Sequence, residues 1–187
     1  VAVTGVQTCA LPICMGASLL TMAKAQPAIN FIGIEVHQPG LGSLAAEIET
    51  QGVDNIRIVN HDAVEIFRTQ LAIQSIQGVQ IFFPDPWPKK RHHKRRLIQT
   101  DFIKILLSAL VPDGFIHVAT DWEDYAFHIL EVLSQEPALY NDHQEGGFSP
   151  RPLHRPPTKF EQRGQRLGHG VWDIIFRKCS SSAQVLP

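Results

Sequence analysis

Pro84-Asp85-Pro86-Trp87-Pro88 sets a carboxylate beside an indole in a segment stiffened by three prolines. A flat heterocycle suits such a pair: it stacks on the aromatic plane while its N–H groups donate to the acid. The bland alternative is a rigid turn with an exposed Trp. The loop runs straight into Lys89–Arg96, however, which holds six Lys/Arg, His92 and His93, and no acid. Phosphate contacts from such a run are strong and salt-dependent. Beside an aromatic site, the run points to a nucleic acid whose target base reaches the pocket; alone, it reads equally as a solvated face. Thr158-Lys159-Phe160-Glu161, followed by Gln162-Arg163-Gly164, repeats hydroxyl, cation, aromatic, carboxylate and cation. On composition alone this second loop has even odds of being a solvated surface.

The elements that must position these groups are legible in the hydropathy pattern. Strands are expected at 31–36, 55–60, 79–83, 115–120 and 171–176, and helices at 41–51, from Asp62 to about Ile73, at 98–110 and at 122–135. A turn is expected at Pro112-Asp113-Gly114, and a long polar loop from about Asn141. Strands alternating with helices give a doubly wound, Rossmann-like, mostly parallel α/β sheet with helices on both faces. Ligands of such sheets bind at the carboxyl ends of the strands. Glu35, Asp62, Asp85 and Asp121 each follow or end one of those strands. Asp62 alone reads first as a helix cap. Four acids gathered on one edge repel one another and call for a ligand or cation. Gly16 opens a helix 19 residues before Glu35, near the spacing between a glycine turn and a ribose-binding acid. One glycine serves helix–strand packing equally well, and Ala10–Cys14 has no Gly-x-Gly.

Composition bounds the remaining possibilities. The chain has 187 residues, which is about one domain. It has no apolar run near the roughly 18 residues of a membrane span, so no membrane association is expected. Three cysteines and no signal-peptide pattern make a reducing cytoplasm the expected compartment. No His/Cys spacing suits a metal, and neither a P-loop nor a Gly-x-Ser-x-Gly elbow occurs. The net charge of −1 conceals a division. The stretches 89–96 and 151–178 hold thirteen Lys/Arg against two acids, and the rest of the chain four against sixteen. That asymmetry points to a polyanionic partner.

Gly33-Ile-Glu-Val-His37, Pro84-Asp-Pro-Trp87 with Lys89–Arg96, and Thr158-Lys-Phe-Glu161 with Arg163, Gly164 and Arg166–His169 together resemble the bacterial tRNA (guanine-N7-)-methyltransferases. The resemblance runs from about Cys14 to Lys178. It implies a class I fold with S-adenosyl-L-methionine as cofactor, and methylation of a guanine in the variable loop of tRNA. It implies cofactor contacts at Glu35, Asp62 and Asp85, with Gly16 the retained glycine and Asp85 the active-site carboxylate. It further implies RNA contacts at Arg91, His92, His93, Lys94, Arg95 and Arg96, and substrate contacts at Lys89, Asp121, Thr158, Lys159, Phe160 and Glu161. Monomer and homodimer both remain open. Ala10 stands where the family has an acid, and Pro12 and Cys14 stand where it has its first glycines. Val3–Ile13 looks like translated sequencing adapter. The expected division is therefore a non-native segment at 1–13, a methyltransferase domain at 14–178 and a tail at 179–187. The alternatives are a methyltransferase acting on an exocyclic base nitrogen, and a non-catalytic RNA-binding module.

Overall fold

The computed structural model describes residues 7–11, 16–143, 145–158, 161 and 170–180. Its order is β1 (Gln7–Leu11), α1 (Ala17–Ala25), β2 (Asn30–Ile34), α2 (Gln38–Gln51), β3 (Ile56–Val59), α3 (Ala63–Thr69), β4 (Ile76–Phe82), a 3-10 helix (Lys90–Arg95), α4 (Thr100–Ala109), β5 (Leu110–Thr120), α5 (Glu123–Ser134), β6 (Leu139–Asn141) and β7 (Trp172–Lys178). The strands form one sheet in the order β3-β2-β1-β4-β5-β7-β6. β1 to β5 run parallel, and β7 lies antiparallel to β5 and β6.

Alternating side chains divide the sheet's two faces between two cores. From β2, Phe31 joins Leu19, Leu20, Met22 and Ala23 of α1 and Leu44 of α2. Its neighbours Ile32 and Ile34 point the other way, toward Ile66 and Phe67 of α3, Phe102, Ile103 and Leu106 of α4, and Ile129 and Leu133 of α5. Successive strands are added outward from β1 to one side (β2, β3) and then from β4 to the other (β5), so the order switches between β1 and β4 and the crevice of the switch point opens beside the carboxyl end of β1. Gln7–Leu11 fills this central place and pairs with Asn30–Gly33 on one side and Ile76–Ile81 on the other.

Three local expectations change. α3 stops at Thr69 rather than near Ile73, where Gln70 and Leu71 both bond back to Ile66 O. A strand that was not expected, β6, lies between α5 and the polar loop and is held on β7 through Leu139, Tyr140 and Asn141. The Pro112-Asp113-Gly114 turn sits inside β5, because Leu110 pairs with Ile76 and Phe115 with Gly78. Val111–Gly114 therefore bulges opposite a single residue, with Asp113 at φ 61°. A Cβ on Gly114 would stand 2.8 Å from Val111 O and 2.9 Å from Gln77 O, so only glycine fits there.

Candidate active site

At the carboxyl edge of the sheet, Asp62 follows β3, Glu35 follows β2, Asp85 follows β4 and Asp121 follows β5. β1 lies between the strands of Glu35 and Asp85, so these two acids flank the switch point. Glu35 Oε1 accepts from the amides of Val36 (2.8 Å) and His37 (2.9 Å), and Asn60 Nδ2 donates to Glu35 O (2.8 Å). These bonds fix the carboxyl group, whose other oxygen has no protein donor among the described residues. A carboxylate so held can accept the two hydroxyls of a ribose. Asp62 caps α3, its Oδ1 accepting from Glu65 N (3.1 Å), so the cap reading of this residue holds whatever else it does. Gly16, at φ 71°, starts α1, and a Cβ there would come within 2.6 Å of the Leu44 side chain. Left-handed backbone and close packing both demand glycine at that helix start. No group of acids, His and Cys among the described residues could hold a metal ion.

The Asp85 loop has an unusual backbone. Phe83 (φ 53°) and Trp87 (φ 45°) both lie in the left-handed region, which bulky residues rarely adopt. They bracket Pro84-Asp85-Pro86 and turn the exposed Asp85 out at the edge. The Phe83 amide donates to Ala119 O at 2.7 Å, which ties the loop to β5. The half-buried Trp87 ring meets His92 edge-on at 5.9 Å, and the Arg95 guanidinium lies 5.1 Å from its centroid. The 3-10 helix thus packs on the loop. Lys89, Lys90, Arg91, Lys94 and Arg95 are exposed, and His92 and His93 are half-buried.

Two residues stand differently from their sequence assignment. Arg96 belongs to the basic run, yet its side chain is 1% exposed and its donors go to Pro86, His93 and Asp124. Glu161, expected against substrate, is 2% exposed, and both its oxygens are taken by Arg155, through Nη1 (2.8 Å) and Nη2 (3.0 Å). Glu161 N donates to Thr158 Oγ1 (3.1 Å), and Thr158 N donates back to Glu161 Oε2 (3.4 Å). This reciprocal pair is a capping box. Thr158 and Glu161 therefore shape their own loop, while Lys159 and Phe160 lie outside the described residues. Asp121 is half-buried at the start of the turn into α5, where Thr120 Oγ1 accepts from Trp122 N (3.2 Å).

Sequence reasoning missed the anchor of that loop. Arg155, fully buried, also pairs with Asp173 of β7: Nη2 donates to Oδ2 (3.0 Å), and Nε stands 2.7 Å from Oδ1 as an ion pair without hydrogen-bond alignment. His117 of β5 shares Asp173 Oδ1 through Nε2 (2.7 Å). Burial, opposed by Asp173, pulls the His117 pKa below its ordinary value, and burial with His117 nearby does the same to His154. The group sits on the α1/α2 face of the sheet, where the polar loop covers β5 and β7 as a helix covers the rest. A His within Phe115–Ala119 and an Asp within Trp172–Phe176 are polar residues in buried strands, and that was the available signal.

The comparisons with known proteins fall on this geometry. A model of the family described as "Putative methyltransferase" matches residues 5–174. Over nearly its whole length the chain superposes on a SAM-dependent O-methyltransferase from Thermotoga maritima, with TM-score 0.62, 14% identity, and 94% of this chain and 60% of that one covered. It also superposes on a "putative methyltransferase" from Streptococcus mutans in complex with SAH, with TM-score 0.58, 10% identity, and coverage of 94% and 89%. These two establish the fold. The tRNA (guanine-N(7)-)-methyltransferase of Legionella pneumophila strain Corby is 62% identical over 88% of this chain and 73% of its own length. That of Nitrosospira multiformis is 56% identical over 88% and 71%. A class I methyltransferase sheet, acids flanking its switch point and this degree of identity make the chain a member of the tRNA (guanine-N(7)-)-methyltransferase family.

Proposed function

We propose that this chain transfers the methyl group of S-adenosylmethionine to N7 of a guanine in the variable loop of tRNA, in the cytoplasm. The observation that carries the reading is the convergence of Glu35 and Asp85 on the switch point, with the exposed cations of the 3-10 helix attached to Asp85's own loop. The fixed carboxylate of Glu35 suits the cofactor's ribose, with Asp62 and the Gly16 helix start beside it. When bound, the cofactor supplies an electrophilic methyl group on a positively charged sulfur.

Guanine N7 carries an in-plane lone pair and no proton, so no base is needed to free it. Positive charge grows on the guanine ring as N7 is alkylated. A carboxylate held in place stabilises that charge and can accept the base's N–H groups. Asp85 takes this part, on a loop whose prolines and left-handed residues hold it in one direction. Lys89 and Asp121, on either side, are assigned to the substrate. Arg91, Lys94 and Arg95, with His92 and His93, are assigned to phosphate. Thr158 and Glu161 shape the loop that carries Lys159 and Phe160.

The test is labelled methyl transfer to tRNA by the parent and by Asp85→Asn, with the product mapped by nuclease digestion and mass spectrometry. The expected product is 7-methylguanine, with turnover falling about 100-fold or more in the variant, the size associated with losing one electrostatic stabiliser. Parent-like turnover in Asp85→Asn, or N6-methyladenine as product, would sink the reading.

A further inference from the structure

Arg96 has the sequence position of an RNA contact and the surroundings of a core residue. Its side chain is 1% exposed in a run whose other Lys and Arg are all exposed. Nε donates to Pro86 O (2.9 Å), the carbonyl of the residue after Asp85. Nη2 donates to Asp124 Oδ2 (2.5 Å) in the first turn of α5 and lies 3.1 Å from His93 Nε2. The guanidinium stacks 4.7 Å from the ring centroid of Tyr125, which is fully buried and whose hydroxyl accepts from Ile98 N (3.1 Å). One planar cation therefore joins the Asp85 loop, the basic helix and α5.

The loop needs such a tie. It carries left-handed Phe83 and Trp87, each of which costs about 1–3 kcal/mol and persists only where its surroundings enforce it. Its three prolines have no N–H to offer, so the loop is held largely through its carbonyls and side chains. We infer that Arg96 is a positioning residue for methyl transfer, fixing the Asp85 loop through Pro86 O and Asp124, and does not hold RNA phosphate. Lysine could not substitute, since one ammonium cannot serve a carbonyl and a carboxylate in a fixed fork while stacking on Tyr125. The inference rests on the reading of Asp85 as the residue that faces the guanine.

The experiment compares Arg96→Lys, Asp124→Asn, Arg91→Ala and Asp85→Asn with the parent, reading kcat at saturating tRNA, tRNA Kd, the salt dependence of that Kd and the melting temperature. Arg96→Lys should lower kcat about 10- to 100-fold, the cost of a small misplacement of a reacting group. Its tRNA Kd should stay within about twofold of the parent and its salt slope should be unchanged, whereas Arg91→Ala should make the slope shallower by about 0.7–0.9. Asp124→Asn should lower kcat less, and the double variant should be no worse than Arg96→Lys alone. Should Arg96→Lys fail to fold, Asp124→Asn decides: parent kcat there overturns the inference. So does an Arg96→Lys enzyme with parent kcat, a weaker Kd and a shallower salt slope. Parent kcat in Asp85→Asn would instead remove the active-site reading, whatever Arg96 does.

Discussion

Replacing Arg155 by Met leaves two buried carboxylates without their cation. Glu161 and Asp173 are 2% exposed each and together lose the four short contacts from Arg155, and Asp173 keeps only His117 Nε2. Arg151, half exposed, pairs with Glu161 Oε1 at 3.6 Å and offsets only part of that loss, with nothing for Asp173. Breaking a buried ion pair costs about 3–5 kcal/mol, against a total stability of roughly 5–15 kcal/mol. Arg155 and Glu161 both belong to the loop over β5 and β7, so the cheapest response is for that loop to detach and hydrate its acids. The expected outcome is a melting temperature lower by about 6–20 °C, from about 2–4 °C per kcal/mol at this chain length. Trypsin should cut within 151–166 much faster than in the parent. Methyl transfer should fall with cofactor affinity kept, because Glu35 and Asp62 lie at the opposite end of the edge. Thermal denaturation, timed proteolysis and a cofactor titration measure all three. A variant that melts within about 1 °C of the parent and resists trypsin equally would refute the claim that this buried network anchors the loop.

Single alanine variants of Arg91, Lys94 and Arg95 should each weaken all tRNAs alike and make the salt slope shallower by about 0.7–0.9; an unchanged slope in all three would show a solvated face. His117 is held neutral by burial, so its folded pKa lies below the unfolded value of about 6.5. The stability this contributes is present above about pH 6.5 and is lost as pH falls toward the folded value, by at most about 1.4 kcal/mol per pH unit for one proton. Urea midpoints between pH 7.5 and 5 should show that loss in the parent and a smaller one in His117→Gln, and identical slopes would contradict the assignment. Exchanging residues 1–13 for a strand that ends in an acid and glycines should tighten cofactor binding and raise the melting temperature, because Ala10 sits in register with Gly33 just before the Glu35 turn. Calorimetry with equal affinities for both chains would mean that Gln7–Leu11 already serves as a full first strand.

The sequence alone determined the α/β class, the positions of five strands (all but β1 and β6) and the four acids at the strand ends. Each of these is a local signal: a short β-branched run, a proline stop, or an acid after a strand is written within a few residues of where it acts. It also located the Asp85–Trp87 loop and the basic run, through proline rigidity and charge. It could not separate Arg96 from Arg95, since adjacent cations of one type carry the same local information. Only the fold turns one toward Asp124 and Tyr125 and leaves the other over Trp87 in solvent. Thr158-x-x-Glu161 likewise read as a substrate motif, and only the approach of Arg155 from six residues away, with Asp173 twelve residues further on, made it a buried capping box. Whether a charged side chain binds a ligand or holds a loop depends on what lies within about 3 Å of it. That is decided by long-range pairing of strands and loops, which residue types in series do not encode one by one.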